Sequence, residues 1–392
     1  MTTTFYPPYH IGGDAVHVKH LVEELARQGH EVHVMFSVDA YQIKRGKVPK
    51  LDIEPGQVYL HPLHSPRGRL EPLLVYPLGK SGYFLKEFYR LVAEISPDIV
   101  HHHNISLLGC DLLRKRGSYL NLYTAHDYWL ICQQNLLLKN GRVCHSQNRL
   151  SCGFCAIGLR RPPQIWRHSN ALAEAMKDID LAIAPSNYVG SVLSQRLGFP
   201  FVTIPNFAPP PSDQNTPAEF SNYFLFAGVA ERHKGIVELV NIFKDYRQEI
   251  GAHLVVVGTG SLEKPLAAFV EENDLSDVVH ILGWCPQDRL YSLLHHARTL
   301  VMPSLWPENC PLVALEALSM GTPVVATNIG GLPEVVRLQG DGFICDLDNL
   351  KDTLIKVRAA HTGRGHIKDI YRQHFTPERF MCRYLELIED RQ

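Results

Sequence analysis

Short apolar runs alternate with helical patterns along almost the whole chain, and this alternation restricts the fold more than any other sequence feature. Strand-length apolar runs separated by amphipathic helices are typical of parallel sheets covered by helices. In the first half the pattern predicts a helix over residues 16–28, which Gly29 ends. It predicts strands at residues 2–5, 31–37, 98–102, 119–124 and 181–184. The chain is therefore expected to be an α/β protein.

A proline-rich break divides this pattern in two. Residues 205–211 read PNFAPPP, which is typical of a linker between domains. Beyond it we predict strands at 223–228, 252–257, 278–282, 299–302 and 323–326, and helices at 235–246, 262–272, 287–296, 312–319 and 377–390. We expect two Rossmann-like, doubly wound domains, 1–205 and 206–375, with a helix over 376–392 that packs back on the first. Open parallel sheets bind ligands at the carboxyl ends of their strands, so two such domains predict a central cleft.

Charge and length restrict the partners. The 392 residues carry a net charge of −1, which argues against a dedicated nucleic-acid binder. Up to Pro205 the chain has 22 Lys and Arg against 16 Asp and Glu, a net charge of +6. This half could meet an anionic acceptor or a membrane surface, although scattered solvated charge gives the same count. We find no membrane-spanning run and no signal peptide, so we expect a cytoplasmic protein, at most peripheral to the inner face of the membrane.

Residues 303–336 carry the most chemical information. Glu308 follows a predicted strand, Asn309 or Cys310 could cap the next helix, and Pro311 is favoured at its first position. Free backbone N–H groups at such a helix N-terminus attract phosphate. Glu316, about one and a half turns into the helix, could accept two hydrogen bonds from a ribose diol. The alternative is that both glutamates are surface carboxylates of an ordinary βα unit.

The spacing from Glu308 to Glu316 resembles the E-x7-E motif of the retaining GT-B glycosyltransferases of family 4, the glycosyl transferases group 1. Residues 321–326 (GTPVVA) and 330–334 (GGLPE) match the same family in order and spacing, and the resemblance covers nearly the whole chain. It implies a GT-B fold with an acceptor-binding first domain and a second domain that binds a nucleotide-sugar donor. It also implies transfer of a hexose-type sugar with retention, usually without a metal, by a front-face substitution in which the leaving phosphate takes the acceptor proton.

The resemblance assigns roles to the residues of this segment. Glu308 would be a catalytic residue facing the donor sugar, and Glu316 would bind the ribose. The sugar and the diphosphate would be lined by Asn309, Cys310, Leu312 and Val313.

Three further segments of the second half resemble donor-binding loops of the family. Residues 226–235 (FAGVAERHKG) place Lys234 where the family neutralises the diphosphate, although Val229 replaces its usual Arg. Arg232 could supply that charge instead, because a guanidinium can grip phosphate from several approaches; two solvated basic residues are the alternative. Gly258 lies in a weaker glycine-turn match. Trp284 would lie near the base, with core packing as the alternative.

The first half contributes a glycine loop and a histidine. Gly12 and Gly13 match the family's glycine loop, where a close backbone approach to a ligand is needed, and a plain tight turn is the alternative. His126 resembles the histidine of the family's His-Asp pair and would contact the donor sugar through its neutral ring, as a second catalytic residue. One histidine of residues 101–103 could also face a ligand, with helix capping or solvation as the alternative.

Four cysteines form a separate cluster in an insertion at about 132–155. Cys132, Cys144, Cys152 and Cys155 give the spacing C-x11-C-x7-C-x2-C, which is compatible with a structural zinc site of four thiolates. Free buried thiols and redox or disulfide chemistry stay open as alternatives. The other five cysteines, Cys110, Cys285, Cys310, Cys345 and Cys382, are predicted to be small core residues.

Two other classes of protein fit part of this pattern. A GT-B nucleotide-sugar epimerase shares the architecture but needs no acceptor, and a catalytically inactive GT-B module would explain Val229. The sequence favours a glycosyltransferase that uses a glycan, lipid-linked or small-molecule acceptor.

Overall fold

The computed structural model describes residues 1–46, 49, 57–146, 148–210, 217–359 and 363–391. The chain divides into two compact units. The first comprises Met1–Lys139, Cys144–Ile204 and Cys382–Gln392, and the second comprises Asn140–Val143 and Pro205–Met381. Pro211 of the predicted linker lies outside the described residues.

The first unit is built on a parallel sheet. Its strands are β1 (Val32–Ser37), β2 (Val58–Leu63), β3 (Ile99–His102), β4 (Leu120–Thr124), β7 (Leu181–Ala184) and β8 (Val202–Thr203). Two short strands lie outside this sheet: β5 (Leu138–Lys139) falls in the first unit and β6 (Arg142–Val143) in the second. Its helices are α1 (Gly13–Arg27), α2 (Val38–Arg45), α3 (Leu70–Leu78), α4 (Gly82–Ile95), α5 (Arg149–Gly158), α6 (Ala171–Met176) and α7 (Asn187–Leu197). The sequence did not predict α2 to α7, nor β2, β5, β6 and β8.

The start of the chain joins two groups of strands. The strand predicted at residues 2–5 is present as a short extended segment over Thr2–Thr4, which is hydrogen-bonded on both sides. Thr2 forms isolated parallel bridges to Met35 of β1 and to His102 of β3. The extended run stops because Tyr6 and Tyr9 exchange backbone hydrogen bonds across two prolines, which cannot donate to a neighbouring strand. The strands therefore follow the order β2, β1, the Thr2 segment, β3, β4, β7, β8, and the winding direction reverses beside Thr2.

The second unit contains one six-stranded, fully parallel sheet in the order β11-β10-β9-β12-β13-β14. Its strands are β9 (Tyr223–Ala227), β10 (His253–Val257), β11 (Val279–Gly283), β12 (Thr299–Met302), β13 (Val324–Thr327) and β14 (Ile344–Cys345). Its helices are α8 (Ile236–Ile250), α9 (Glu263–Glu272), α10 (Gln287–His296), α11 (Leu312–Ser319), α12 (Leu332–Val336), α13 (Leu350–Ala359) and α14 (Arg364–His374). A last helix, α15 (Pro377–Glu389), ends the chain.

This sheet is buried on both faces. Phe224 and Phe226 of β9 pack into one apolar cluster, whereas Leu225 and Ala227 pack into the other. A strand with two buried faces is expected to be a continuous apolar run, as here. The winding reverses between β9 and β12, so the loops after these two strands leave the same edge of the sheet side by side.

Gly235 allows the loop after β9 to approach β12. Its backbone lies in the left-handed region at φ +72°, and a Cβ atom built there would lie 1.8 Å from the carbonyl oxygen of Pro303. Only glycine tolerates both conditions. The residue before it, Lys234, is thereby held beside the end of β12.

Three smaller expectations need correction. Helix α11 begins at Leu312 with Pro311 as its N-cap residue, so neither Asn309 nor Cys310 caps it. Cys382 is exposed, whereas the other four cysteines that were predicted to be core residues are buried. Trp284 is 72 % exposed, which rules out core packing.

Among the described residues, no helix is both long enough and apolar enough to cross a bilayer.

Candidate functional site

Lys234 and Glu308 meet where the winding of the second sheet reverses. Lys234 follows β9, Glu308 follows β12, and Lys234 Nζ lies 2.6 Å from Glu308 Oε1. Ser304 Oγ donates to the same oxygen at 2.8 Å. Glu308 is buried, and a buried carboxylate is stable only with such partners. The two residues that the sequence assigned to the diphosphate and the donor sugar are therefore in direct contact.

Ser304 and Trp306 complete this site, and sequence reasoning missed both. Lys234 Nζ lies 5.0 Å from the ring centroid of Trp306, within cation–π range. The main chain of the two loops is joined by a hydrogen bond from Leu305 N–H to the carbonyl of His233. The signal that the sequence carried for both residues is their position in the loop that directly follows β12.

The N-terminus of α11 has no side-chain cap. Its first two residues are Leu312, which is buried, and Val313, which is half-buried. Uncapped N–H groups at a helix start carry partial positive charge and suit a phosphate. The correction to the cap position therefore leaves this feature of the predicted site in place.

Asn309 and Cys310 lie between Glu308 and α11, and both are buried. Asn206 Nδ2 donates to the carbonyl of Cys310 at 2.8 Å, and burial raises the pKa of the Cys310 thiol to about 12. The Cys310 side chain packs in the apolar core, so only its backbone is suited to a polar ligand.

Glu316 is a buried acid on α11. It is 7 % exposed, and desolvation raises its pKa to about 7. Burial disfavours the charged carboxylate, and hydrogen bonds donated by a ligand would favour it. Its protonation is therefore sensitive to any ligand with hydroxyl groups at this point.

The remaining predicted donor-side residues lie in the loops at the same edge of the sheet. Gly258 directly follows β10, and its N–H donates to the carbonyl of Gly283 at 2.7 Å. Arg232 is exposed on a single helical turn, Arg232–Lys234. Trp284 is exposed after β11, where its ring is free to stack on a ligand.

In the first unit, the glycine loop lies next to the end of β3. Gly12 is the N-cap residue of α1, with no side-chain cap, and Gly13 is the first helical residue. Asp14 Oδ2 accepts a hydrogen bond of 2.7 Å from Asn104 Nδ2. This bond joins the first turn of α1 to the loop after β3. Neither Asp14 nor Asn104 was singled out from the sequence.

His126 follows β4 and contacts a neighbouring histidine. Its Nε2 lies 2.9 Å from Nδ1 of His103, a fully buried residue. Burial lowers the pKa of His126 to about 4, although the charge of Asp14 acts in the opposite direction. The imidazole is therefore neutral near neutral pH.

The same contact fixes the tautomer of His126. The other ring nitrogen of His103, Nε2, is buried without a hydrogen-bond partner among the described residues. An orphaned buried N–H is rarer than an orphaned acceptor, so the His103 proton belongs on Nδ1, from which it donates to His126. His126 then carries its own proton on Nδ1, and that nitrogen is a hydrogen-bond donor.

The other polar residues near His126 are hydrogen-bonded within the first unit. All three histidines of residues 101–103 are buried, so the expectation of solvation is wrong. His101 bonds to Thr124 Oγ1 at 2.8 Å and to Tyr384 OH at 2.9 Å. Asp127 accepts from Trp129 N–H and from Asn135 Nδ2, which stabilises the loop after β4.

The four clustered cysteines are free and partly exposed in the structure. Gln134 Nε2 donates to Cys155 Sγ at 2.6 Å, and the Cys144 N–H donates to the carbonyl of Leu137. Burial raises the pKa of Cys152, and the nearby Cys132, Cys144 and Cys155 add to the effect. Within the described ranges, no group of three or more Cys, His, Asp or Glu is arranged to hold a metal ion. The metal site therefore stays a prediction.

Two doubly wound parallel domains, with a cation and an uncapped helix at the edge where the second sheet reverses, define the GT-B class of glycosyltransferases. The profile of Glycosyltransferase Family 4 matches residues 11–210, and that of Glycosyl transferases group 1 matches residues 211–369. The chain belongs to this family, and it is a glycosyltransferase.

Known relatives and solved structures agree with this assignment. An uncharacterised glycosyltransferase of Methanocaldococcus jannaschii is 26 % identical over 91 % of this chain and 86 % of its own length. An MMP alpha-(1->4)-mannosyltransferase of Mycolicibacterium hassiacum is 27 % identical over 85 % of this chain and 81 % of its own. The fold is similar to that of sucrose-phosphate synthase from Thermosynechococcus elongatus, with a TM-score of 0.74 and 20 % identity over 99 % of this chain and 98 % of the synthase. It is also similar to that of Anabaena HepE, solved in complex with UDP, with a TM-score of 0.64 and 17 % identity over 99 % of each chain.

We expect Lys234→Met to destabilise the protein by about 3 kcal/mol, because it leaves the Glu308 carboxylate buried without its counter-charge. Adding Glu308→Gln should recover most of this loss, since a neutral amide needs no cation. The measurement is denaturant unfolding of both variants. Lys244→Met is the matched control, because Lys244 is exposed and also lies over an aromatic ring. Equal stability of the two single Met variants would contradict the coupling.

We expect protein purified without a chelator to carry one zinc per chain, bound by Cys132, Cys144, Cys152 and Cys155. Binding would draw the thiolates together and stabilise the insertion. Elemental analysis of the wild type and of Cys152→Ser measures this, with Cys382→Ser as the exposed-cysteine control. Metal-free protein whose four thiols all react with a thiol reagent would exclude the site.

Proposed function

We propose that this glycosyltransferase transfers a hexose-type sugar, with retention, from a nucleotide-sugar to a glycan, lipid-linked or small-molecule acceptor without a catalytic metal. The observation that carries the proposal is the Lys234–Glu308 ion pair beside the uncapped start of α11. A sugar diphosphate needs positive charge at the leaving phosphates. The Lys234 ammonium and the α11 N-terminus supply that charge from two directions.

Lys234 can serve the carboxylate and the diphosphate together. An ammonium group has three N–H donors, of which the pair with Glu308 uses one. The bonds from Lys234 and Ser304 both end on Glu308 Oε1, so Oε2 is the oxygen that a sugar hydroxyl would bond. In this arrangement Glu308 orients the sugar while Lys234 stabilises the charge that develops as the glycosidic bond breaks.

The acceptor proton would leave with the diphosphate. As the carbon–oxygen bond to the leaving phosphate breaks, the acceptor oxygen attacks the same face of the anomeric carbon and gives its proton to a phosphate oxygen. Glu308 is already engaged by a cation and a hydroxyl, which suits an orienting group better than a nucleophile. His126, as a neutral Nδ1–H donor, is suited to bond a sugar hydroxyl.

The direct test is binding and turnover of uridine, guanosine and adenosine diphosphate sugars. We expect calorimetry to find one preferred nucleotide, bound at least about tenfold more weakly by the double variant Lys234→Met/Glu308→Gln than by Lys244→Met. The double variant keeps the buried site uncharged, so the loss reports binding rather than unfolding.

Measurements of turnover then separate a retaining glycosyltransferase from an epimerase and from an inactive GT-B module. With the preferred α-linked donor, slow release of the α-configured sugar, read by NMR, supports retention. Epimerised donor recovered without acceptor would favour an epimerase, and tight binding without any turnover would favour an inactive module.

We expect nucleotide-sugar affinity to rise between about pH 6 and pH 8, because the ribose diol bonds to ionised Glu316 and its pKa in the free protein is about 7. The sign follows from linkage, since a ligand that prefers the carboxylate releases a proton and binds better as pH rises. A nucleotide-sugar is the right probe, as the terminal phosphate of a free nucleoside diphosphate titrates in the same range.

Glu316→Gln is the variant for this measurement. It should flatten the pH dependence and weaken binding, and it should raise the melting temperature of the ligand-free protein at about pH 8, where the ionised Glu316 destabilises the fold. An unchanged pH dependence in this variant would remove Glu316 from the donor site.

A further inference from the structure

Helix α3 exposes its apolar side to solvent. Leu70, Leu73, Leu74 and Leu78 are each between 43 and 61 % exposed, at the spacing of one helical face. The opposite side, with Glu71 and Val75, is buried. A helix of a globular protein normally buries its apolar face, so this outward face calls for a partner.

Helix α5 and the residues after it repeat this arrangement. Leu150, Phe154 and Ile157 follow each other at intervals of four and three residues, and Phe154 is 74 % exposed. Gly153 and Ala156 face inward. Leu159 and Ile165, also exposed, extend the apolar side beyond the helix.

Hydrogen bonds join α3 and α5 into one piece of the first unit. Trp166, next to Ile165, donates from Nε1 to the carbonyl of Tyr76 on α3 at 3.2 Å. Tyr76 OH donates to the carbonyl of Gln133 at 3.1 Å, and the adjacent Gln134 contacts Cys155 of α5. Nine of the fourteen large apolar side chains that are exposed among the described residues belong to this region, the α3–α5 surface: Leu70, Leu73, Leu74, Leu78, Leu150, Phe154, Ile157, Leu159 and Ile165.

The charge around the α3–α5 surface has a single sign. Residues 128–173 contain six Lys and Arg and no Asp or Glu. Exposed Arg160 and Arg161 follow α5, and exposed Arg67 and Arg69 precede α3. The one acid within α3, Glu71, is buried and accepts hydrogen bonds from Ser65 and Ser81. Arg67 lies 3.7 Å from its carboxylate, whereas for Arg69, Arg160 and Arg161 the described residues show no ion pair.

We propose that the α3–α5 surface docks the protein on a lipid bilayer that contains anionic headgroups. Helices that lie in a membrane interface place Leu and Phe among the acyl chains and Lys or Arg at the headgroups, which is the pattern found here. Basic residues near a membrane surface add an attraction that depends on anionic lipid and on salt. The inference concerns binding alone and does not depend on the donor or the acceptor.

The same charge disfavours a second copy of this chain as the partner. In a twofold dimer a surface patch meets itself, so Arg160 and Arg161 of one copy would face the arginines of the other. Like charges brought together in this way oppose association. An anionic bilayer has the opposite charge and an apolar interior, and it matches both features.

The test is co-sedimentation of the full chain with phosphatidylcholine vesicles, with and without phosphatidylglycerol. We expect binding that needs phosphatidylglycerol and weakens at high salt. Leu73→Ser/Phe154→Ser should weaken binding by about tenfold or more, since each change removes apolar surface that the bilayer would bury. Arg160→Ala/Arg161→Ala should weaken binding only to vesicles with phosphatidylglycerol.

Leu338→Ser is the control, because Leu338 is an exposed leucine of the second unit. All replaced side chains are exposed, so melting temperature and nucleotide-sugar binding should match the wild type and will separate this test from that of the enzyme's function. Three results would overturn the proposal: no sedimentation of the wild type with either vesicle, equal sedimentation of all variants, or a dimer in velocity sedimentation that the Leu73→Ser/Phe154→Ser variant abolishes.

Discussion

The ion pair between Lys234 and Glu308 is the interaction on which the candidate site of the second unit is built, and the proposed chemistry depends on it. A carboxylate as deeply buried as that of Glu308 needs a cation within bonding distance. The cation is in place because β9 and β12 are neighbours at the point where winding reverses, and because Gly235 allows the loop after β9 to approach Pro303. Strand order, one glycine and one salt bridge thus determine together where a diphosphate can be neutralised.

In two other groups of the candidate site, Glu316 and His126, burial shifts the pKa towards the neutral form. Burial favours protonated Glu316 and keeps the His126 ring uncharged. A neutral group desolvated in advance can form strong hydrogen bonds with a ligand without first losing bound water. At the edge of the second sheet the ligand-free protein holds the paired charges of Lys234 and Glu308 next to the partial positive charge of the α11 N-terminus.

Sequence periodicity predicted the central strands of both sheets because buried parallel strands are continuous apolar runs, as at β9 and β12. The periodicity also predicted that a helix ends at Tyr246, and the backbone does leave helical geometry at this residue before a final turn to Ile250. It failed for α3 and α5, since an outward apolar face does not show the pattern of a helix that packs on a core. It also missed Ser304 and Asn104 and did not single out His103 among residues 101–103. The roles of these three side chains come from contacts with Glu308, Asp14 and His126, and a pattern of strands and helices does not encode such contacts.

A hydrogen bond between Tyr384 and His101 connects α15 to the buried histidines, of which His103 contacts His126. His101 and His103 rings lie 4.0 Å apart, so a shift of one is transmitted to the other. Deleting or crowding the carboxyl-terminal residues would thus disturb a side chain more than 250 positions earlier. An affinity tag or a fluorescent fusion on this enzyme belongs elsewhere than directly after α15.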